Sequence, residues 1–255
     1  RIDVVDIAVE VGERALPVEI ADDLAHRAAQ AVFLGVVAAV GLAVVAFEVF
    51  VKLQFWFEFA STYSYPAVMR VDKVAAARGV AIEWRPFLLG PLFHAQQGLK
   101  DSPFNVVPVK GSYMWRDVER TCEKYGLPFR RPGRFPQNGL MAARITLSLP
   151  QDERPNFVKA VYQASFVHDR DISDPQILHA AARRAGLDPL EVLAAMTSEP
   201  MKDLLREETA KAADLGIFGA PSFVTGDGEL FWGNDRLEDA LDWTVRGTLR
   251  PNTQN

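Results

Sequence analysis

Two serines, Ser61 and Ser64, stand where a strand-like run of the chain meets a helix-like run. Large apolar residues alternate from Leu53 to Phe59, which predicts a buried strand, and the apolar-periodic segment from Pro66 to Ala77 predicts a helix. A serine at this junction can cap the helix by accepting a backbone N–H. Its hydroxyl can also donate a hydrogen bond which, together with the helix dipole, lowers the pKa of a thiol bound beside it.

The spacing of the pair, Ser-x-x-Ser, is the spacing of the redox pair Cys-x-x-Cys, which a thioredoxin-like fold carries between its first strand and its first helix. Hydroxyls replace both sulfurs here, so this turn cannot exchange a disulfide, and a reactive thiol has to come from a ligand. Glutathione is the natural candidate. The lone cysteine, Cys122, lies in a helix-like run far from the turn. We interpret it as a structural, partly buried thiol.

Four further motifs follow the serine motif in a fixed order. The five are Phe57-Glu-Phe-Ala-Ser-Thr-Tyr-Ser-Tyr65, Trp84-Arg-Pro-Phe-Leu-Leu-Gly-Pro91, Lys110-Gly-Ser-Tyr-Met114, Gly219-Ala-Pro221 and Trp232-Gly-Asn-Asp-Arg236. Together they resemble the 2-hydroxychromene-2-carboxylate isomerase family and its relatives, the kappa-class glutathione transferases. Both groups belong to the disulfide-isomerase-like branch of the thioredoxin superfamily, and the resemblance covers roughly residues 51–247.

The resemblance implies an α/β protein, with a thioredoxin-like fold in residues 51–250 and an all-helical domain inserted at about residues 108–215. Its ligand would lie in the cleft between the two parts. The residue patterns themselves predict a second strand, six helices, a loop and a closing hairpin at an Asp-Gly turn. These are Val80–Trp84, then Tyr113–Tyr125, Leu140–Leu149, Asp152–His168, Asp174–Ala185, Pro189–Met196 and Met201–Leu215, then the loop Arg130–Asn138, and the strands around Gly219–Val224 and after Leu230.

The resemblance also implies a glutathione site. Ser61 would be the catalytic residue that holds the sulfur as a thiolate; the alternative is that it only caps the helix. Pro221 would follow a cis peptide bond, so that the backbone of Ala220 pairs with the cysteinyl unit of glutathione. The remaining cofactor-binding residues would be Trp232, Gly233, Asn234 and Asp235, with plain helix capping as the alternative for the last two.

On the substrate side, the candidates are His94, Asn105, Lys110 and Phe135. Lys110 supplies a cation for an anionic group, with a solvated lysine as the alternative. Phe135 is the best aromatic candidate, and we keep the alternative that it belongs to the core together with Tyr63, Tyr113 and Trp115.

This sequence departs from the family pattern at three positions. His94 stands where many relatives carry lysine, Thr62 replaces a common proline, and Pro66 replaces a common leucine. The other histidines have no metal-ligand spacing, so we expect no metal site.

These observations favour a glutathione-dependent isomerase of 2-hydroxychromene-2-carboxylate or a similar intermediate of aromatic degradation. Two alternatives stay open: a kappa-class-like glutathione transferase and a non-catalytic thioredoxin-like binding module. The formal net charge of −5 provides no basic surface for nucleic acid. We expect a small aromatic molecule as the partner, and we leave the oligomeric state open, with a homodimer among the options.

The first 50 residues do not fit the rest of the chain. Residues 28–47 are apolar except for Gln30, and their number approaches the ~20 residues needed to cross a bilayer. Three interpretations compete: a membrane anchor, a buried or interfacial amphipathic helix, and an extension upstream of the natural start. We favour the extension, because nothing in the remaining chain requires a membrane. This predicts a cytoplasmic protein, with anchoring through residues 28–47 as the minority alternative.

Overall fold

The computed structural model describes residues 51–250, and a four-stranded mixed sheet lies at the centre of this part. The strands are β1 (Val51–Phe57), β2 (Val80–Pro86), β3 (Ser222–Val224) and β4 (Leu230–Trp232), in the order β2-β1-β3-β4. β1 runs parallel to β2, β3 runs antiparallel to β1, and β4 runs antiparallel to β3. β1 is therefore an interior strand, and its residues 55–57 are apolar and buried, as in a strand that is covered on both faces.

Helices lie between β1 and β2, between β2 and β3, and after β4. They are α1 (Ser64–Ala76), α2 (Leu89–Gln97), α3 (Pro103–Val106), α4 (Pro108–Tyr125), α5 (Leu140–Ser148), α6 (Arg154–Phe166), α7 (Pro175–Arg184), α8 (Pro189–Thr197), α9 (Glu199–Asp214) and α10 (Leu237–Arg246), with a 3₁₀ turn at Asn234–Arg236. Eight of them, α2 to α9, lie between β2 and β3 along the chain, and the last six, α4 to α9, lie where the sequence predicted the helical insertion.

Alternate side chains of β1 pack on opposite faces of the sheet. Phe55 and Phe57 point to one face, into the larger of two hydrophobic cores, and contact Trp84, with ring centroids 5.1 and 5.6 Å from the indole. Trp56 points to the other face and packs on Phe87, at 6.1 Å. The larger core continues without a break into the helices through a stack of aromatic rings: Phe59, Tyr65, Tyr162 and Phe166. The sheet and the inserted helices therefore share one core.

The structure corrects several predicted boundaries. α2 and α3 were not predicted at all. α4 begins at Pro108 rather than Tyr113, because proline suits the first turn of a helix. β3 begins at Ser222 rather than Gly219, because Pro221 has no N–H to donate to a neighbouring strand. The other predicted strands and helices are present with ends shifted by a few residues.

The predictions for residues 1–50, including the anchor at 28–47, fall outside the described residues. Within residues 51–250, no helix is both long and apolar enough to cross a membrane. The same part of the chain has no cluster of three metal-ligating side chains. Localisation and oligomeric state remain predictions.

Candidate active site

Ser61 joins the two chain segments that form the centre of the site. It lies between β1 and α1, and its Oγ donates a hydrogen bond to the carbonyl oxygen of Ala220, at 2.8 Å. The same Oγ accepts the backbone N–H of Ser64, the first residue of α1, at 3.3 Å. This bond satisfies one N–H of the first turn, although the N-cap residue of α1 is Tyr63, and the hydroxyl also faces the loop before β3. The Ala220–Pro221 peptide bond is cis, as expected.

Three backbone N–H groups around Ser61 are available to a ligand. Those of Thr62, Tyr63 and Ala220 have no hydrogen-bond acceptor within residues 51–250. The first two precede α1, where the unpaired N–H groups and the dipole of a helix favour a negative charge. The Thr62 hydroxyl bonds to the sulfur of Met114 at 3.0 Å, which fixes this turn on α4.

The turn opens into a cavity of about 600 Å³. Its lining comes from the β1–α1 turn, the β2–α2 segment, the α2–α3 loop, α3, α4, the loop before α5, the loop before β3, and β4. The predicted residues among the lining are Ser61, Lys110, Phe135, Ala220 and Trp232, together with the aromatic candidate Tyr63. Most of the remaining lining is apolar, so the cavity suits a ligand that combines a polar end with an apolar body.

Trp232 lies against the backbone of the loop before β3. A Cβ added at Gly219 would lie 2.3 Å from the indole Nε1, so only glycine allows this approach. The ring also packs on Phe218, with centroids 4.8 Å apart, and Trp232 is half exposed at the cavity wall. Phe218 is a lining residue that the sequence analysis missed.

The other predicted glutathione-binding residues do not line the cavity. Asn234 is buried, and its Oδ1 accepts a hydrogen bond from Arg70 at 3.0 Å. Asp235 is exposed, and neither side chain caps a helix, so the capping alternative for this pair is wrong. The N–H of Gly233 donates to the carbonyl of Pro221 at 2.9 Å, which ties the end of β4 to the cis-proline. Contact of these four residues with glutathione stays a prediction.

Two predicted substrate-binding residues also lie outside the lining. His94 is exposed on α2. Asn105, on α3, donates through Nδ2 to the Asp101 carboxylate at 3.1 Å and to the Phe135 carbonyl at 3.5 Å, so it connects α3 to the loop that carries Phe135. Of the other aromatic candidates, Tyr113 is exposed, and Trp115 is buried with its ring edge-on to Phe135.

The sequence analysis missed an apolar wall of the cavity. It is formed by residues of the β2–α2 segment, α2, the α2–α3 loop and α3, namely Leu88, Leu89, Pro91, Phe93, Leu99 and Phe104. The motif that ends at Pro91 was the only sequence signal for it.

Glu58 was quoted in the serine motif but given no role. It lines the cavity three residues before Ser61 and is only 8% exposed. Burial raises the pKa of this carboxyl to about 7, although hydrogen bonds from the N–H groups of Ala60 and Ser61 act to lower it. The bond from Ala60 reaches Oε2 at 3.0 Å. Glu58 is therefore an acid that changes its charge near neutral pH inside the candidate site.

Two other groups near the site, Tyr63 and Cys122, keep their protons. Burial and the neighbouring Asp117 raise the pKa of Tyr63, whose hydroxyl donates to the Asp117 carboxylate at 3.1 Å. Cys122 is 2% exposed, and burial raises its pKa to about 12. A thiol of this kind is inert, which agrees with the structural role expected from the sequence.

Comparison with known proteins identifies the family. Residues 52–242 match the model of the DSBA-like thioredoxin domain. The chain belongs to this family. A 2-hydroxychromene-2-carboxylate isomerase of Sphingobium xenophagum is 31% identical over 73% of this chain and 94% of its own length. A glutathione S-transferase kappa 1 of Rattus norvegicus is 26% identical over 73% of this chain and 87% of its own. The resemblance drawn from the five motifs is confirmed.

Two solved structures agree with this fold. A structure of a 2-hydroxychromene-2-carboxylate isomerase superposes with a TM-score of 0.69, at 24% identity, over 77% of this chain and 97% of that one. A probable DsbA oxidoreductase from Streptomyces coelicolor gives 0.62, at 21% identity, over 80% and 94%. The thioredoxin-like fold with inserted helices is thereby confirmed, and the named relatives are isomerases and kappa-class transferases.

Proposed function

We propose that this protein is a glutathione-dependent isomerase that acts on 2-hydroxychromene-2-carboxylate or a similar intermediate of aromatic degradation. The observation that carries the proposal is the position of Ser61, which faces Ala220 across the start of a cavity in a turn that has no sulfur of its own. A member of the DSBA-like family with this turn needs a thiol from outside. Similarity to an isomerase along 94% of that protein's length favours isomerisation as the reaction.

The donor groups of the site fit glutathione. A hydroxyl hydrogen rotates freely, so Ser61 can turn its O–H from the Ala220 carbonyl towards a bound sulfur. The N–H groups of Thr62 and Tyr63 and the dipole of α1 add to the stabilisation of a thiolate at this place. The backbone of Ala220 is available to pair with the peptide of glutathione, as an added strand does. In this proposal Asn234 and Asp235 hold its γ-glutamyl end, and Trp232 and Gly233 also contact glutathione.

Bound glutathione would supply a thiolate that adds to the conjugated substrate, permits bond rotation and is returned by elimination. The protein's own residues position the substrate for this chemistry. The apolar wall takes the aromatic body, and Phe135 packs on it. Lys110 lies at the cavity with an ammonium group for the substrate carboxylate. Asn105 positions the Phe135 loop, and His94, from its exposed position on α2, helps to hold the anionic group of the substrate.

A kappa-class-like transferase is the second candidate, favoured by the similarity to kappa-class proteins of rat and other animals. It would use the same thiolate but release a stable conjugate. A binding module without catalysis is the third candidate, in which Ser61 only caps α1.

The fate of glutathione distinguishes these candidates. The full chain is incubated with a 2-hydroxychromene-2-carboxylate-type substrate and with glutathione far below the substrate concentration. The isomerase should complete many turnovers per glutathione, and mass spectrometry should find no accumulating adduct. Loss of glutathione into a conjugate in proportion to product would make the protein a transferase.

Two controls complete this experiment. Absence of any glutathione binding in equilibrium dialysis would favour the module. A disulfide substrate should give no redox turnover, because the Ser-x-x-Ser turn has no sulfur to exchange.

A further inference from the structure

The cavity contains one buried acid whose role the proposed function leaves open. Among residues 51–250, two acidic side chains line it, Glu58 and Asp101. Asp101 is exposed, and its carboxylate accepts hydrogen bonds from Asn105 and from the N–H of Ser102. Glu58 is buried and is held by backbone: Oε2 accepts the Ala60 N–H at 3.0 Å, and a Cβ at Gly139 would lie 3.4 Å from Oε1. Its neighbours therefore fix the carboxyl at the cavity wall.

The thiol of glutathione is mostly protonated at neutral pH, since its pKa is ~8.5 when it is free. To become a thiolate it must give its proton to an acceptor. Ser61 and the free N–H groups of the turn only donate hydrogen bonds to the sulfur. Tyr63 cannot act as the base, because its own hydroxyl keeps its proton and donates to Asp117.

We propose that the Glu58 carboxylate takes the proton of the glutathione thiol and holds it as a neutral carboxylic acid while the thiolate is present. The S–H bond breaks and an O–H bond forms on Glu58, so one negative charge moves from the carboxylate to the sulfur. The transfer reverses when glutathione leaves. This proposal rests on the proposed function, because it takes glutathione as the thiol that binds beside Ser61.

Charge favours this arrangement. A carboxylate and a thiolate in one mostly apolar cavity would repel each other, whereas a neutral acid beside a thiolate leaves a single negative charge. Burial has already brought the pKa of Glu58 to about 7, so the two groups compete for one proton near neutral pH and titrate as a pair. An ordinary exposed glutamate, with a pKa of ~4.3, would be too weak a base to keep that proton.

In the part of the chain that the structure describes, few other titratable groups face Glu58. From α6, the Tyr162 hydroxyl donates to the Glu58 backbone carbonyl at 2.6 Å, and burial, followed by the Glu58 charge, raises the pKa of this tyrosine. The loop before α5 presents the neutral Gln137 and Gly139. The charged or titratable side chains elsewhere in the lining are Tyr63, Lys100, Asp101 and Lys110.

Two measurements on the full chain at about pH 8 test the proposal. Ultraviolet difference absorption of the glutathione complex reports whether the bound thiol is ionised. Calorimetric titration in two buffers of different ionisation enthalpy counts the protons released on binding. At this pH about 0.8 of the free thiol is protonated and about 0.9 of Glu58 is ionised. Transfer to Glu58 therefore predicts a thiolate signal with almost no proton released.

In Glu58→Gln, which keeps an oxygen to accept the Ala60 N–H, the thiolate signal should come with release of about 0.8 proton or be lost. Glu58→Asp restores a carboxylate and should return the count towards zero. S-methylglutathione, which has no thiol proton, is the matched ligand and should give no thiolate signal in any variant. Circular dichroism verifies that both variants fold.

The count in the wild-type protein can overturn the proposal even if neither variant folds. A thiolate signal with about 0.8 proton released would show that the proton goes to solvent and would overturn the proposal, as would binding with no thiolate signal at all. A near-zero count in Glu58→Gln with the thiolate intact would assign the proton to another group. Absence of glutathione binding to the wild-type protein would instead refute the proposed function itself.

Discussion

The buried carboxyl of Glu58 should make the stability of the protein depend on pH in a way that one substitution removes. Burial raises its pKa from an ordinary 4.5 to about 7. Between these two values the folded state binds more protons at this site than the unfolded state. Its contribution to stability is therefore fully present below about pH 4.5 and is lost as the pH rises through about 7. At 1.36 kcal/mol for each pH unit, the loss is about 3 kcal/mol.

Glu58→Gln carries no charge at any pH and escapes this loss. Urea unfolding of the full chain at a series of pH values from about 4 to about 8 measures the effect. The free energy of unfolding of the wild type, minus that of Glu58→Gln, should fall by about 3 kcal/mol across this range, with most of the change between pH 4.5 and 7.

Asp227→Asn is the control for this series. Hydrogen bonds from Thr225 and Trp243 lower the pKa of Asp227, so its contribution is lost only as the pH falls below the ordinary range. Its difference from the wild type should stay flat from pH 4.5 to 8. A flat difference for Glu58→Gln as well would show that Glu58 is hydrated like a surface acid, and the reasoning about the site would fail.

Three further substitutions test other parts of the site. Ser61→Ala should destabilise the fold by only ~1 kcal/mol, the value of a lost cap, but should lower glutathione-dependent turnover at least ~10-fold; normal turnover would remove Ser61 from the mechanism. Cys122→Ser should cost roughly 1–3 kcal/mol in urea unfolding, because a hydroxyl is buried, and should leave turnover unchanged in steady-state assays. Gly219→Ala should displace the Trp232 indole and weaken glutathione binding several-fold in calorimetry, whereas Gly226→Ala, where an added Cβ meets nothing within 4 Å, should not.

The fold was predictable wherever long periodic segments met clear ends. β1, α1 and the helices of the insertion have such patterns, and their existence was predicted from residues alone. α2 was missed because it begins Leu-Gly-Pro, which is typical of a loop, although proline is tolerated in the first turn. α3 has four residues, too few for any helical periodicity to show.

The site was predictable only where a motif carried it. Ser61 and Ala220–Pro221 belong to local motifs, and the structure brings them together at the ends of the neighbouring strands β1 and β3. The apolar wall comes from segments that periodicity treats separately, so only the fold assembles it. Glu58 shows a different limit: it lies inside the segment predicted as a buried strand, and nothing local reveals that Gly139 and Tyr162 will lie close to it.

A turn without sulfur changes what the neighbouring groups have to do. A protein cysteine stays in place between reactions, whereas a glutathione thiol that enters protonated has to lose its proton again with each molecule bound. A fixed cation beside the sulfur would stabilise the thiolate, but a thiol with a very low pKa is a weak nucleophile. Hydrogen bonds from Ser61 and the N–H groups of the turn lower the pKa of the bound thiol less than a fixed cation would. Glu58, an acid of similar pKa in the cavity wall, then holds the proton close by. Under the proposed function, Ser61 and Glu58 therefore divide between them the work that one reactive cysteine performs in a redox turn.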